Sequence, residues 1–251
     1  IKKKTEFTGD IIFIAIAAIV CAGVLYPFVY TLSVSLSSSK EIVSNNVTFY
    51  PREFTFVAYE RVIRMREVTM GVKNSIQYTF VGTLINIILT TSLGYSLSRK
   101  ELIGRKAFTI FLTIPLFISG GIIPTFMVIK WLGMIDTMWA VIMPFAVLSY
   151  YLIIVKSFYQ GIPDSIIESA KIDGANDITT FLRIILPMST TIIATIGLFY
   201  AIYNWNNFQN PLFYLNDADK YPLVLVLKNM LVTTEMFADP ETVKGEEIVS
   251  L

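Results

Sequence analysis

Along this chain the apolar residues do not alternate with polar ones. They gather into five long runs free of Asp, Glu, Lys, Arg and His, at residues 11–39, 74–98, 107–129, 137–155 and 184–216. Each is about as long as the roughly 20 residues that a helix rising about 1.5 Å per residue needs to cross about 30 Å of hydrocarbon. The pattern predicts an all-α, polytopic transmembrane helical bundle with five spans. None of the five runs carries the polar stripe by which a core helix of a soluble protein meets water, so a soluble-core reading is set aside. The first run follows Lys2, Lys3 and Lys4, as a signal peptide would, but it is too long for an h-region and no small-residue cleavage site follows.

Composition agrees. Hydrophobic residues make up 54% and charged residues 16% of 251 positions, and the mean hydropathy is +0.62. Both values point to the bilayer as solvent. A net charge of +1 without an aromatic-basic stripe argues against nucleic acid as a partner. Cys21 is alone, so no intrachain disulfide forms, and the absence of histidine excludes His-ligated metals and His proton relays. No GxxxxGK[ST] loop is present, so the chain has no ATP site of that kind.

Basic residues set the expected orientation. Lys2 to Lys4 precede the first run, and Arg99, Lys100, Arg105 and Lys106 crowd the short loop between the second and third. Both segments are expected in the cytoplasm. The 40–73 segment carries six basic residues of its own, offset in part by Glu41, Glu53, Glu60 and Glu67. It is longer and less densely basic, and is expected outside. The N-terminus is then cytoplasmic, and so is the 160–186 loop between the fourth and fifth spans. A short helix introduced by Pro222, over 221–234, is expected on the outer side.

That inner loop is the most polar part of the interior. In IIESAKIDGANDITTFLRIILP, residues 166–187, Pro163 suits the first turn of a helix, and Ser165 with Glu168 has the spacing of a capping box, with Asp164 as the alternative cap. Gly174 suits a left-handed stop. Asn176 or Asp177 can cap a second helix, in which Ile178, Phe181, Leu182 and Ile185 share a face. Two short helices meeting at a small-residue corner are predicted.

ESAKIDGA followed by FLRIILP resembles the cytoplasmic EAA loop of the membrane subunits of ABC importers, with Glu168, Ala170, Asp173, Gly174, Ala175, Phe181, Ile184, Leu186 and Pro187 in register and Ser169 standing where a second alanine is usual. Two further stretches, GGIIPTFMVIKWLGMIDTMWAVIMP at 120–144 and YNWNNFQNPLFYL at 203–215, are similar to carbohydrate permeases of the binding-protein-dependent, maltose-type smaller-subunit class that takes up polysaccharide fragments. The resemblance implies a type I ABC importer permease in a bacterial cell membrane, with an N-terminal span and extracytoplasmic loop over 1–71 and the transmembrane core over 72–251. It implies that Glu168, Ser169, Ala170, Asp173, Gly174 and Ala175 couple to an ATPase. It also implies a second homologous permease subunit, two ATPase subunits that bind ATP and Mg, an extracytoplasmic solute-binding protein and a sugar substrate. The chain itself holds no cofactor and makes or breaks no bond. Family members have six spans, so EEIVSL at 246–251 is expected to begin a sixth that the sequence does not complete.

The charge-free runs fit an external energy source, because proton- or ion-coupled carriers place ionisable residues in the bilayer despite a cost of roughly 2.5 to 3.5 kcal/mol each. For substrate contact, Tyr203, Asn204, Trp205, Asn206 and Gln209 follow in close succession at the end of the fifth run, with Tyr150 and more weakly Tyr151, Asn86 and Thr125 elsewhere. Amides suit sugar hydroxyls and aromatic rings suit sugar C–H faces. The bland alternative is an aromatic belt at the membrane interface. Glu168 likewise has two readings, contact with the ATPase or a cap on its own helix. A permease for a non-sugar solute, an ATP-independent channel or carrier, and an enzyme acting on lipid-linked sugars are the rival functions.

Overall fold

The computed structural model describes residues 2–118 and 120–238, with side chains described over 13–118 and 120–232. The expected start of a sixth span at 246–251 lies outside the described residues. Among those described there is no strand. The chain divides into two compact units, Ile1–Arg66 and Glu67–Leu251.

The first unit holds helix α1 (Lys2–Ser35), α2 (Ser39–Val43) and α3 (Val57–Arg64). Within α1, Phe13–Ser35 is long and apolar enough to cross a membrane. The loop after it folds back through serines. Ser33 Oγ donates to the Phe49 carbonyl at 2.9 Å, the Arg52 amide donates to Ser37 Oγ at 3.0 Å, and Ser38 Oγ donates to Glu53 at 2.7 Å.

The second unit is built around α4 (Arg66–Ser98), followed by α5 (Arg105–Thr113), α6 (Ile122–Trp131), α7 (Met138–Ile142), α8 (Ser149–Gln160), α9 (Asp164–Ile172), α10 (Asp177–Thr180), α11 (Leu186–Met188), α12 (Thr190–Asn206), α13 (Gln209–Tyr214) and α14 (Leu223–Ala238). At 33 residues α4 is about 50 Å long, more than a bilayer core requires. Its apolar residues Ile76, Phe80, Leu84 and Ile88 face outward and are exposed. Asn74, Tyr78, Gly82, Asn86, Thr90 and Gly94, spaced four apart, form a buried stripe on the other side. The expectation that no run carries a polar stripe is therefore corrected for α4. Its stripe is uncharged and points inward, the reverse of a soluble helix, because lipid rather than water lies outside.

That stripe organises the bundle. Asn74 Nδ2 donates to the carbonyls of Asp219 and Tyr221 at 2.8 and 3.1 Å, and the Tyr78 hydroxyl donates to that of Lys220 at 2.8 Å. Thr90 and Tyr200 hydroxyls meet at 2.7 Å. Gly94 lets α8 approach so closely that a Cβ there would stand 2.7 Å from Val155 Cγ1. Around this contact Tyr95, Val155, Tyr159, Ile167, Ile185, Ile196 and Tyr200 form the largest buried cluster.

The later runs are broken helices rather than single ones. The 107–129 run was expected as one helix, but Pro115 ends α5 in a short 3₁₀ turn and Gly121, at φ 81°, precedes a fresh start at Ile122. Pro144 divides the fourth span, and its two parts, Met138–Phe145 and Ser149–Gln160, meet at 52°. The fifth run turns by 81° between Asp177–Met188 and Thr190–Asn206 and stops at Asn206, short of the expected 216. By length and composition two helices can cross a membrane unaided, or up to four spans if each bent pair is one. The helix expected after Pro222 is α14.

Candidate functional site: a capped hairpin and an amide-aromatic cavity

The two sequence-predicted sites lie at opposite ends of α12. At one end, α9 and α10 form the predicted hairpin. Helix α9 closes in a Schellman motif: the Ala175 amide donates to the Ala170 carbonyl at 2.9 Å, and the Gly174 amide to that of Lys171 at 3.0 Å. Gly174 takes φ 81°, in the left-handed region, with open space where a Cβ would stand. Asn176 caps α10 by accepting from the Thr179 amide at 2.8 Å, as one of the two expected caps. The expected capping box is not formed. Pro163 is the N-cap, without a side-chain bond, and Ser165 already lies in the first helical turn, where its geometry cannot cap. Ser169 Oγ donates instead to the Ser165 carbonyl at 2.9 Å.

The hairpin has an inner and an outer face. Ile167 and Ala170 are buried, whereas Glu168, Ser169, Asp173 and Gly174 are exposed and Ala175 is half-buried. The apolar face expected over 178–185 is divided by a π turn at Phe181–Ile185, one residue wider than an α turn. Phe181 stacks on Tyr95 at 4.9 Å and Ile185 joins the core, while Ile178 and Leu182 stay exposed. Lys100 Nζ meets Asp164 Oδ2 at 3.0 Å and holds the Asp164 carboxyl below its ordinary range. Arg99 donates to the Tyr159 carbonyl at 3.3 Å.

At the other end of α12 a cavity of about 450 Å³ is lined by Phe145, Tyr151, Phe199, Ile202, Tyr203, Asn206, Asn207, Phe208, Gln209 and Asn210. No lining residue is charged. Of the sequence-predicted path residues, Tyr203, Asn206 and Gln209 are walls of this cavity. Tyr150 lines a neighbouring cavity of about 530 Å³, with Tyr151 and Phe145 as shared walls. Thr125 lines a third, of about 430 Å³, which shares Phe145, Gln209 and Asn210. Trp205 lines none of these. Asn204 points toward α4, donating to Asn86 Oδ1 at 2.9 Å and Thr83 Oγ1 at 3.3 Å.

Phe145 is the wall common to all three cavities, and its placement depends on the break at Pro144. A proline in a buried helix frees backbone groups that need other partners. Asn86 Nδ2 donates to the carbonyls of Phe145 and Ala146 at 3.1 and 2.8 Å, and Asn210 Nδ2 donates to that of Val141 at 3.1 Å. The Leu148 amide donates to the Tyr200 hydroxyl at 3.1 Å. Sequence reasoning weighed Asn86 as a weak substrate contact and missed Phe145, Phe199, Phe208 and Asn210. The four-residue spacing of polar and small positions along α4 was the available signal for Asn86.

Beyond the cavity, the turn before α7 is clasped to the segment before α14. Asp136, at φ 60°, accepts from the amides of Asn216 and Asp217 at 3.0 and 3.1 Å and pairs with Lys220, whose Nζ also donates to the Asp136 carbonyl at 2.9 Å. The Lys220 hydrogen bond leads in holding the Asp136 carboxyl below the ordinary range, and the same bond raises Lys220. Among the described residues no group of three or more His, Cys, Asp or Glu is arranged to hold a metal.

Comparisons with known proteins agree on one family. The family model for the inner membrane component of binding-protein-dependent transport systems matches residues 82–239. The polygalacturonan/rhamnogalacturonan transport system permease protein YtcP of Bacillus subtilis (strain 168) is 37% identical over 222 residues, covering 88% of this chain and 77% of that protein. Protein LplC of the same organism is 37% identical over 214 residues, covering 85% and 72%. A bacterial ABC transporter involved in the import of the acidic polysaccharide alginate contains a chain of the same fold, with a TM-score of 0.88 and 28% identity over 91% of this chain and 82% of that one. Long apolar helices, a capped hairpin in the EAA register and these matches converge: the chain belongs to the inner membrane components of binding-protein-dependent transport systems, as a permease.

Proposed function

We propose that this permease imports an acidic oligosaccharide, a fragment of a polysaccharide, by alternating access driven by two ATPase subunits. The observation that carries the reading is the continuity between the hairpin and the cavity. From Asp177 the chain runs through the π turn and the bend at Ser189 into α12, which is about 25 Å long and ends in Tyr203 and Asn206. A displacement delivered to the exposed tip at Glu168, Ser169, Asp173 and Gly174 is carried to the cavity by packed helices, because Phe181, Ile167 and Ile185 are held in the core. Ala170 and Ala175 keep the corner narrow. ATP and Mg are assigned to the partner ATPase subunits.

The amide-aromatic lining suits sugar hydroxyls and C–H faces. The names of YtcP and of the alginate importer support an acidic polysaccharide fragment as the substrate class. The N-terminus and the hairpin lie in the cytoplasm, following the basic residues at 2–4 and 99–106. A second homologous permease completes the translocation path, and an extracytoplasmic solute-binding protein delivers the sugar to the cavity end of α12. Trp205 and Tyr150 serve as contacts toward that pathway, and Asn204 acts through Asn86.

The test is ATP hydrolysis by the assembled complex in proteoliposomes, with its binding protein and either oligogalacturonates or neutral oligosaccharides. Stimulation by oligogalacturonates that Gly174→Val abolishes, in a complex that still assembles, is expected. Stimulation by neutral sugars alone overturns the acidic substrate class. Sugar flux without ATP hydrolysis overturns the ATP-driven mechanism.

A further inference from the structure

A charged group touches one wall of the uncharged cavity from behind its lining. Lys228, on α14, holds its ammonium 4.2 Å from the centroid of the Phe208 ring, and Phe208 is a wall of the 450 Å³ cavity. The side chain is half-buried. No carboxylate among the described residues pairs with it; half-buried Lys156 likewise lacks one but donates to the Thr109 hydroxyl at 3.2 Å, whereas the contact at Lys228 is an aromatic face. A partly desolvated ammonium without an anion is incompletely compensated, because burial of a cation is ordinarily offset by a paired charge. The aromatic face supplies only part of that compensation. Lysine is suited to the remainder, being a compact charge on a flexible four-carbon stem with three donors.

We propose that Lys228 is a specificity-determining residue that receives a carboxylate of the sugar, so that a uronate unit in the cavity beside Phe208, hydrogen-bonded by Gln209 or Asn206, places its acid group on the ammonium. The inference rests on the acidic-oligosaccharide reading above. The division of labour follows from the lining: uncharged amides and rings read the sugar ring and its hydroxyls, and discrimination between an acid and its neutral counterpart falls to the Lys228 ammonium beside Phe208. A charge-assisted hydrogen bond provides that discrimination, since a neutral hydroxymethyl group in the same place gains little from the ammonium. The cation–π contact holds the side chain ready without committing it to a protein carboxylate that the substrate would have to displace.

The experiment measures equilibrium binding by calorimetry to the complete transporter in nanodiscs, without its binding protein. The probes are an α-1,4-linked galacturonate trimer and the same trimer with its carboxyls reduced to alcohols. For the parent, tighter binding of the acidic trimer is expected. Lys228→Met is expected to weaken that binding about tenfold, as loss of one charge-assisted hydrogen bond at a partly exposed site does, and to leave the reduced trimer within twofold. Lys228→Arg restores most of the preference. Parent-like binding of the acidic trimer by Lys228→Met overturns the proposal and leaves the acidic reading standing, as does equal weakening of both trimers, which assigns Lys228 to packing. If the parent binds neither trimer or prefers the neutral one, the acidic reading falls and this inference with it.

Discussion

Asn204 on α12 donates to Asn86 on α4 at 2.9 Å, and Asn86 in turn donates to the Phe145 and Ala146 carbonyls at the break after Pro144 in the fourth span. Neither asparagine lines the cavity, but together they fix Phe145, which does. An amide is the one uncharged side chain that can accept from one helix while donating twice to a backbone break. The pair is therefore a positioning device for the cavity wall.

Replacing Asn86 with Leu leaves the Phe145 and Ala146 carbonyls without their donor and the Asn204 amide with only its 3.3 Å bond to Thr83, at an expected cost of about 1–3 kcal/mol for each group left unsatisfied by the bundle. Asn204→Leu is milder, because Asn86 keeps its bonds to the break. The double variant should be less destabilised than the sum of the two, by about 0.6–1.7 kcal/mol, the range found for interhelical hydrogen bonds in membranes. Thermal unfolding in detergent, read as a double-mutant cycle, measures the coupling. Full additivity would mean that the two side chains do not act through one another.

Gly94 and Val155 set how closely α4 and α8 approach. A Cβ on residue 94 would stand 2.7 Å from Val155 Cγ1 and 3.3 Å from its Cβ, and Val155 is fully buried and β-branched, so it cannot swing aside. Gly94→Ala is expected to cost about 1–3 kcal/mol through overpacking. Val155→Ala, costly alone because it opens a cavity, should relieve that cost when combined with it. The readout is the unfolding midpoint of the two single variants and the pair. A Gly94→Ala variant as stable as the parent would show that the helices separate without penalty.

The membrane class, the first two spans and the hairpin were legible in the sequence because each rests on a local signal: long uncharged runs for the spans, and Gly174 with Asn176 for the corner. The breaks were harder to read. Pro115, Pro144 and Gly121 are visible as residues, yet average hydropathy runs straight across them, and what decides whether the chain bends is the partner that accepts the freed backbone groups. Those partners, Asn86, Asn210 and Tyr200, are 50 or more residues away from the break they serve. For the same reason the succession from Tyr203 to Gln209 could be read as one site, although a helix turns Asn204 and Trp205 away from the cavity that Tyr203 and Asn206 face. The Ser165 and Glu168 spacing misled because a capping pattern identifies a cap only if the helix begins there, and Pro163 starts it earlier.

The hairpin's attachment to the bundle should fail first at Phe181. Its ring is stacked on Tyr95 at 4.9 Å, next to the π turn that already loosens the backbone ladder. Phe181→Ala removes the stacking, about 0.5–1.5 kcal/mol, together with the area that a half-buried ring covers. Hydrogen exchange of the assembled transporter is expected to show faster exchange across residues 166–185, with α4 protected as in the parent. Phe181→Leu should restore most of the protection, since it returns the apolar area without the ring. Unchanged exchange in Phe181→Ala would transfer the anchoring role to Ile167 and Ile185.

The Asp136 and Lys220 clasp gives the opposite end a defined pH range. Asp136 is held below its ordinary value of 3.8 by the Lys220 hydrogen bond and then by the Asp217 amide, so its contribution to stability is present above that value and is lost as pH falls through the lower folded value. Lys220 is raised above 10.5 by the same bond, so its contribution is present below 10.5 and is lost as pH rises through the higher folded value. Asp136→Asn keeps an acceptor for the two amides and tolerates the left-handed backbone, so it removes the charge alone. The unfolding midpoint of the parent should exceed that of the variant by a constant amount between about pH 5 and 9. The difference should shrink on the acid side below about pH 4 and on the alkaline side above about pH 10.5. High salt should narrow it throughout, because both groups are partly exposed and screening acts on exposed pairs. A difference that shrinks on neither the acid nor the alkaline side would show that it does not come from the charges of Asp136 and Lys220.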